Sequence, residues 1–335
     1  TRYTPGGGTL ELKRAACIKM KRDNNLNYNP SQILVSSGGK HSLYNACQAL
    51  FQKRDQVIIF SPYWVSFPDF VSVTGATPVF VKTDPKNQYE PIWTDLEKKL
   101  TSNTKGIIIN SPSNPTGGVW SDDAVIKVIE LAKKIDAWVF SDECYEQLTY
   151  DKPYISTAAL DNNNDKILTF QSCSKTYAMT GWRIGYTAGN SNVIKAMTKL
   201  QGQSTSCPNS IAQKAAIEAL TGDQTIVSTM RNTFKKRRDF IVTRLNNMKG
   251  VICDNPGGAF YVFPDFSKFL GKKADGKLLK DTFDISEYIL RSSNVVTVPG
   301  DGFGAPGHIR FSYATNRQSI EKGIKRIRIS LEKII

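Results

Sequence analysis

Strands and helices alternate along the first 220 residues of this 335-residue sequence, and this alternation limits the possible folds more than any other feature. Short runs rich in β-branched residues predict strands at 32–37, 56–60, 78–82, 106–110, 137–141, 166–171 and 183–188. Helical patterns lie between several of them, at 42–51, 122–135, 193–203 and 211–220. We therefore predict an α/β fold, in which helices sandwich a mostly parallel sheet.

The pattern changes after residue 220. Apolar residues recur at helical spacing from Ile226 to Met248 and predict one long helix that ends at Gly250. Strands at 259–263, 295–298 and 309–313, a helix at 285–291 and a final helix follow. We predict a large domain at 1–235 and a small α+β domain at 236–335, with the long helix as the hinge or spine between them.

Composition excludes several classes of protein. Hydrophobic residues make up 40% and charged residues 22%, which excludes disordered and fibrous chains. No apolar stretch reaches the ~20 residues that a membrane-spanning helix needs. His41 and His308 are the only histidines, too few for a multi-histidine metal site, and we predict no bound metal. Six scattered cysteines without a CxxC pair favour free thiols in the cytoplasm, with an organelle as the alternative.

The formal net charge of +14 is compatible with a nucleic-acid partner, a membrane surface or anionic substrates. The basic residues are dispersed along the chain, and the local clusters at 235–238 and 322–328 lie in helical patterns with apolar spacers. We interpret these clusters as solvated helix faces. The sequence therefore predicts neither a nucleic-acid partner nor a membrane partner.

Chemically active side chains follow five of the predicted strands. In an open parallel sheet, ligands bind beyond the carboxyl ends of the strands, so these segments are expected to share one edge. The segments are SSGGK at 36–40, SPYW at 61–64, NSPSNP at 110–115, SDECY at 141–145 and SCSK at 172–175. Pyridoxal phosphate requires such a set: a lysine for its aldehyde, a carboxylate for its ring nitrogen, donors for its phosphate and an aromatic ring for stacking.

The most specific segment runs from Ser172 to Gly185. It contains Ser-x-Ser-Lys175, and Arg183-Ile-Gly follows eight residues after the lysine. In this pattern the sequence resembles the class I/II pyridoxal-phosphate-dependent aminotransferases of the aspartate aminotransferase (fold type I) family. Three further motifs agree in order: NPTG at 114–117, SDExY at 141–145 and HIRxS at 308–312. The resemblance runs from about Tyr3 to the C-terminus and implies a transaminase with pyridoxal 5′-phosphate as cofactor.

The resemblance implies a role for each matching position. Lys175 is similar to the lysine that forms the Schiff base with the cofactor and moves the substrate's proton. Asp142 resembles the partner of the ring nitrogen, and Tyr145 and Asn114 resemble the groups that hold the 3-oxygen of the cofactor. Trp64 is similar to the aromatic residue that stacks on the ring. Trp64 and Asn114 are also expected to contact the substrate.

The resemblance also implies phosphate contacts and a second subunit. Four residues occupy the phosphate-binding region: Gly39, Lys40, Ser172 and Arg183. Arg310 resembles the arginine that binds the substrate α-carboxylate through two parallel hydrogen bonds. Tyr3 resembles a tyrosine that reaches the phosphate of the neighbouring subunit, which implies a homodimer with shared sites. Family members carry an N-terminal arm upstream of this tyrosine, and we expect that arm to be missing here.

The expected substrates are acidic. No arginine lies between Met197 and Pro208, where some aspartate aminotransferases bind the side-chain carboxylate. Instead, the glycine turn before Lys40 and the segment SPYWVS at 61–66 resemble the aspartate/prephenate aminotransferase subgroup, in which this lysine binds the acidic side chain. We expect aspartate or glutamate with 2-oxoglutarate or oxaloacetate. Prephenate as acceptor, an alanine, aromatic or kynurenine aminotransferase, and a purely phosphate-binding role for Lys40 are the alternatives.

Motifs of other protein classes fit less well. The SCSK segment matches the S-x-x-K of penicillin-recognising acyl-enzymes, but neither Ser-Asp-Asn nor Lys-Thr-Gly follows it. The segment GFGAPG at 302–307 matches a dinucleotide-binding pattern only formally, because it contains Pro306 and leads into a predicted strand. A transcription regulator with an aminotransferase-like sensing domain is the remaining alternative, although the sequence shows no helix-turn-helix segment.

Overall fold

One large sheet organises the first two thirds of the protein. The computed structural model describes residues 2–161 and 165–335. The strands of this sheet are β1 (Ile33–Ser36), β2 (Gln56–Ser61), β3 (Thr77–Asp84), β4 (Glu90–Pro91), β5 (Thr104–Asn110), β6 (Trp138–Asp142), β7 (Ile167–Ser172) and β8 (Gly185–Ala188). Their order in space is β1-β8-β7-β6-β5-β2-β3-β4. The sequence located the β-branched runs that form the longer of these strands.

The predicted mostly parallel α/β sheet is confirmed. The pairs β2–β3, β2–β5, β5–β6 and β6–β7 are parallel, whereas β8 runs antiparallel to both β7 and β1. Strands β1, β2, β5, β6 and β7 therefore end at one edge of the sheet, and β8 begins there. Strand β7 is buried along its whole length, as expected for a parallel sheet that is covered on both faces.

Helices cover the sheet and form much of the C-terminal part. They are α1 (Leu10–Asn24), α2 (Gly39–Leu50), α3 (Ser66–Ser72), α4 (Trp93–Lys99), α5 (Asp122–Lys134), α6 (Cys173–Thr176), α7 (Ser191–Ser204), α8 (Ser210–Thr221), α9 (Thr225–Asn246), α10 (Thr282–Ser293) and α11 (Arg317–Leu331). Helix α5 begins where its sequence predicts: the Ser121 hydroxyl accepts a hydrogen bond from the Ala124 amide, and Asp122 and Asp123 occupy the first turn.

The C-terminal part has small sheets of its own. Its strands are β9 (Tyr261–Val262), β10 (Lys273–Ala274), β11 (Lys277–Leu278), β12 (Val298–Pro299) and β13 (Ile309–Ser312). Strands β12, β13 and β9 form an antiparallel sheet in that order. The prediction of a strand at 295–298 is wrong in position, since only Val298 belongs to β12 and Val296 is 80% exposed. A β-branched run forms a strand only where a neighbour can pair with it.

Helix α9 joins the two parts of the chain. The predicted domain boundary between residues 235 and 236 falls inside this helix, and it stays a prediction. Phe234, Ile241 and Leu245 of α9 pack into a core with Ile309 and Ile324 from the C-terminal part. The long helix is therefore built into the C-terminal core and is more than a connecting segment.

Within the described ranges, no helix is long and apolar enough to cross a membrane. The six cysteines are free thiols, and Cys47, Cys173 and Cys253 are buried.

Candidate active site

A cavity of about 330 Å³ lies at the sheet edge where the parallel strands end. Its lining includes every sequence-predicted site residue except Tyr3: Gly39, Lys40, Trp64, Asn114, Asp142, Tyr145, Ser172, Lys175, Arg183 and Arg310. Ligand sites of open α/β sheets lie at this edge. Residues from both parts of the chain thus meet around one space of ligand size.

The start of α2 forms one corner of the cavity. Gly38 has a φ of 90°, and a Cβ at this position would lie 2.1 Å from Nη2 of Arg183. A Cβ at Gly185 would lie 2.3 Å from the amide nitrogen of Gly39. Because these glycines allow the close approach, α2 begins at Gly39 and not at the predicted Ser42. The first N–H groups of a helix have no intrahelical acceptor and attract anions.

Arg183 and Ser172 add donors to this corner. The Arg183 guanidinium donates to the backbone oxygens of Thr180 at 2.9 Å and Ser37 at 3.4 Å. The Ser172 hydroxyl caps the short helix α6 by accepting a hydrogen bond from the Ser174 amide at 3.2 Å. A guanidinium, a hydroxyl and a helix start therefore surround one side of the cavity.

Asp142 lies at the carboxyl end of β6, and its side chain is 5% exposed. Its Oδ1 accepts a hydrogen bond from the Cys144 amide at 3.2 Å. Burial raises the pKa of Asp142 above its usual range, and hydrogen bonding with Cys144 and, to a smaller extent, the nearby Lys175 oppose this effect. A carboxylate in such a place favours a cationic group beside it.

Lys175 lies in α6, directly after β7. Its Nζ is 5.8 Å from the centre of the Tyr145 ring and 5.6 Å from the centre of the Phe260 ring. The Tyr145 hydroxyl lies 2.9 Å from that of Tyr261. Burial raises the pKa of Tyr145 well above its usual value, so this phenol keeps its proton and is able to donate a hydrogen bond.

Arg310 reaches the cavity from β13. Its Nη1 donates to Oδ1 of Asn114 at 2.6 Å, and its guanidinium carbon lies 4.5 Å from the Tyr261 ring centre and 5.0 Å from that of Phe303. Its Nε is buried and has no hydrogen-bond partner among the residues that the structure describes. Since a buried donor without an acceptor is costly, this atom marks a place for an anionic ligand.

Lys40 and Trp64 form another side of the cavity. Lys40 Nζ lies 4.9 Å from the centre of the Trp64 ring and donates to the Ser66 hydroxyl at 3.1 Å. The Trp64 ring packs edge-on against Phe67 and Phe70. Phe67 and Phe70 thus fix the position of the Trp64 ring, and the flexible side chain of Lys40 lies beside that ring.

Sequence reasoning missed several lining residues: Leu43, Asn110, Cys144, Ser174, Thr180 and Tyr261. Asn110, Cys144 and Ser174 belong to the segments at the strand ends and could have been found by position. Tyr261 lies in the predicted strand at 259–263, where no motif marks it. Tyr3, in contrast, is 91% exposed and does not line the cavity of its own chain.

Comparisons with known proteins agree with this geometry. Residues 1–327 match the family model of aminotransferase class I and II. The chain is 42% identical over 335 residues to an aspartate aminotransferase of Bacillus subtilis, covering 99% of this chain and 84% of that protein. It is 44% identical over 331 residues to an aspartate/prephenate aminotransferase of Cereibacter sphaeroides, covering 98% of this chain and 83% of that protein.

Comparison of the fold with solved structures agrees with the sequence comparisons. The fold matches the aspartate aminotransferase of Rhizobium meliloti with a TM-score of 0.95 and 37% identity, over 100% of this chain and 85% of that one. It matches the aspartate aminotransferase of Thermus thermophilus with maleate with a TM-score of 0.92 and 37% identity, over 98% of this chain and 84% of that one. The chain therefore belongs to the class I and II aminotransferases, enzymes that depend on pyridoxal 5′-phosphate.

Proposed function

We propose that this aminotransferase moves the amino group of an acidic amino acid, aspartate or glutamate, to a 2-oxo acid such as 2-oxoglutarate or oxaloacetate. The observation that carries the proposal is that the cavity has two basic side chains, Arg310 and Lys40, besides Lys175 and Arg183, which we assign to the cofactor. An acidic amino acid has two carboxylates, and Arg310 and Lys40 would each bind one of them.

The residues of the cavity fit pyridoxal phosphate. The donors at the start of α2, with Arg183 and Ser172, suit its phosphate group, and the buried carboxylate of Asp142 suits a protonated ring nitrogen. When bound, pyridoxal phosphate supplies an aldehyde that bonds to an amine and a ring that withdraws electrons from the substrate Cα. Lys175 is the lysine in the lining that follows β7, and we assign the covalent attachment to its Nζ.

Each residue around the reacting atoms has a separate proposed task. Lys175 Nζ, once freed by the incoming amine, would take the proton from the substrate Cα and deliver it to the aldehyde carbon of the cofactor. Asp142 would hold the proton on the ring nitrogen. Tyr145 would donate a hydrogen bond to the 3-oxygen of the cofactor, and Tyr261 would orient the Tyr145 hydroxyl through their 2.9 Å contact.

The α-carboxylate of the substrate is assigned to Arg310. A guanidinium presents two parallel N–H groups that match both oxygens of a carboxylate. The 2.6 Å bond to Asn114 fixes the plane of this guanidinium, and the buried Nε still lacks an acceptor among the described residues. Stacking between Tyr261 and Phe303 limits its movement further.

The side-chain carboxylate is assigned to Lys40. The Thermus structure contains maleate, a dicarboxylate, and the names of the relatives from Bacillus and Cereibacter specify aspartate. A lysine ammonium on a flexible stem is able to serve dicarboxylates of different length. Prephenate, which also carries two carboxylates, is the second proposed acceptor, because the Cereibacter relative is named for it.

The test of this assignment is the variant Lys40→Ala. Losing one charge-assisted contact costs about 1.5–3 kcal/mol, so kcat/KM for aspartate should fall roughly ten- to a hundredfold. The values for alanine and phenylalanine should stay unchanged. Lys195→Ala, which removes an exposed lysine of α7 outside the cavity lining, is the matched control. Equal losses for acidic and neutral substrates would assign Lys40 to the phosphate and leave the substrate class open.

We further propose a two-fold homodimer with shared sites, on the strength of Tyr3. This tyrosine resembles a residue that crosses between subunits, and its 91% exposure leaves it available to a second chain. The division into a large domain at 1–235 and a small one at 236–335 is proposed on the change of pattern across α9. A cytoplasmic location is proposed on the free state of the six cysteines.

A further inference from the structure

A buried polar cluster is centred on Lys19 of α1, outside the cavity lining, and no role proposed so far involves it. Lys19 is 2% exposed. Its Nζ lies 2.5 Å from Glu146 Oε1 and donates to Oδ1 of Asn24 and Oε1 of Gln171, both at 2.8 Å. An ammonium group removed from water in this way is expensive unless its donors are satisfied, and here each of its three donors has an acceptor.

The cluster continues to a second carboxyl group. Gln171 Nε2 lies 3.2 Å from both Asn24 Oδ1 and Glu143 Oε2. Glu143 is fully buried and accepts hydrogen bonds from the Ser156 hydroxyl at 2.8 Å and the Thr157 amide at 3.0 Å. Burial raises the pKa of Glu143 to about 7. We call Lys19, Asn24, Glu143, Glu146 and Gln171 the Lys19 cluster; none of its members is more than 6% exposed.

The Lys19 cluster touches the active site through the chain itself. Three of its members are direct chain neighbours of cavity residues: Glu143 follows Asp142, Glu146 follows Tyr145, and Gln171 precedes Ser172. In β7, successive side chains point to opposite faces, so Gln171 and Ser172 serve the cluster and the cavity respectively. A shift of the cluster would therefore move the backbone that carries these three cavity residues.

Stability alone does not account for such a cluster. A buried ion pair seldom gives more net stability than an apolar replacement of similar size, because desolvation offsets the attraction. What a fully hydrogen-bonded network provides is a single geometry. Here that geometry links α1 with the ends of β6 and β7, and the Tyr186 hydroxyl of β8 joins it by donating to Gln171 at 3.0 Å.

We propose that the Lys19 cluster is a positioning element of the active site. It holds Asp142, Tyr145 and Ser172 in place around the cofactor through the chain segments that these residues share with Glu143, Glu146 and Gln171. Lys19 acts through these residues and touches neither cofactor nor substrate. The inference rests on the cofactor roles proposed above for the three cavity residues.

The test uses the cofactor-loaded double variant Lys19→Met/Glu146→Met. It removes both partners of the 2.5 Å ion pair together, whereas Lys19→Met alone would leave Glu146 buried without its cation. Asp23, which lies 3.7 Å from Lys19 Nζ, keeps its ion pair with Arg22. Small misplacements of reacting groups have large effects on rate, so kcat should fall about tenfold or more, with KM for the amino acid within about twofold. The midpoint of the pH titration of the cofactor's absorption band should move by about 0.5 pH unit or more, since Asp142 and Tyr145 set the charge around the ring.

The control neutralises an exposed ion pair of α11 in the same way. Arg328 Nε and Glu332 Oε1 lie 3.8 Å apart, and Arg328→Met/Glu332→Met should keep the wild-type midpoint and kcat. Gln171→Leu breaks the link between Lys19 and Glu143 without removing a charge. It is the second variant if the double variant does not fold, with the same expected shift and loss of kcat.

The outcomes separate this inference from the proposed function. A wild-type chain without a cofactor absorption band would contradict the proposed cofactor roles themselves. A wild-type chain with the band, together with a folded double variant of unchanged midpoint and kcat, would overturn the positioning role alone. An unchanged midpoint and kcat in Gln171→Leu would do the same. Loss of thermal stability without these two changes would assign the cluster to the fold only.

Discussion

At the scale of single residues, the assignment that concerns every substrate is that of the α-carboxylate to Arg310. Arg310→Lys keeps the positive charge but loses the planar pair of N–H groups, and it breaks the bond to Asn114. We expect kcat/KM to fall about ten- to a hundredfold for aspartate, glutamate, alanine and phenylalanine alike, as one charge-assisted hydrogen bond is lost. Steady-state kinetics with these four amino acids checks this. Arg317→Lys, which changes an arginine stacked on Phe240 outside the cavity, is the matched control. A loss confined to acidic substrates would contradict the α-carboxylate role.

Sequence patterns identified those site residues whose neighbours in the chain are assigned to the same ligand. Lys175 is recognisable because the hydroxyls before it and the arginine after it are assigned to the same cofactor, so one proposed chemistry constrains a continuous segment. Tyr261 was missed because it meets Tyr145, 116 residues away in the chain, only in the folded structure. Lys19 was missed for a related reason: nothing in its local sequence distinguishes a buried lysine from an exposed one.

At the level of elements, the start of α2 is a point where close packing leaves no room for a larger side chain. In Gly38→Ala the new Cβ would meet Nη2 of Arg183 at 2.1 Å, so the guanidinium must move away from the corner assigned to the phosphate. We expect the Kd for pyridoxal phosphate to rise about tenfold, the loss of roughly one charge-assisted contact, in a titration of the cofactor-free protein. Gly271→Ala is the control, because Gly271 also has a positive φ, of 78°, but a Cβ there meets nothing within 4 Å.

Both glycine variants should lose some thermal stability, since alanine is strained at a positive φ. Only Gly38→Ala should lose cofactor affinity. Equal cofactor affinities in the two variants would mean that the close packing between α2 and Arg183 does not matter for binding.

Elements with a regular apolar pattern were predicted, and those without one were not. In α1, Lys19 and Asn24 are buried while Leu10 and Ile18 are 49% and 56% exposed, so the apolar spacing that marks a helix is interrupted. Helices α3 and α4 have seven residues each, too few for a periodic signal. The two buried polar residues that interrupt the pattern of α1, Lys19 and Asn24, belong to the Lys19 cluster.

For the whole molecule, the main prediction is that two chains share each active site. Mixing Tyr3→Phe chains with Lys175→Ala chains should give heterodimers in which one site has both the lysine and the tyrosine. At limiting cofactor, the mixture should be more active than the sum of the two separate preparations. Sedimentation of the wild-type chain should show a dimer. A monomer that keeps bound cofactor and full activity would refute the shared site.

The alternation of strands and helices was enough to predict the sheet, and the segments that follow its strands were enough to predict the edge at which the cavity lies. Spatial strand order was not readable from the sequence, and neither was the antiparallel direction of β8, which brings Arg183 to the same edge as the strand ends. Such features depend on contacts between residues far apart in the chain, and a local pattern does not record them.

The most direct test of the central claim is to locate the cofactor on the chain. The protein is loaded with pyridoxal phosphate, reduced with borohydride to fix the covalent bond, digested, and its peptides are weighed by mass spectrometry. The added mass should lie on the peptide that contains Lys175, and Lys175→Ala treated in the same way should carry none. Added mass on a different lysine, or none on the wild-type chain, would contradict the assignment of this cavity as the site of transamination.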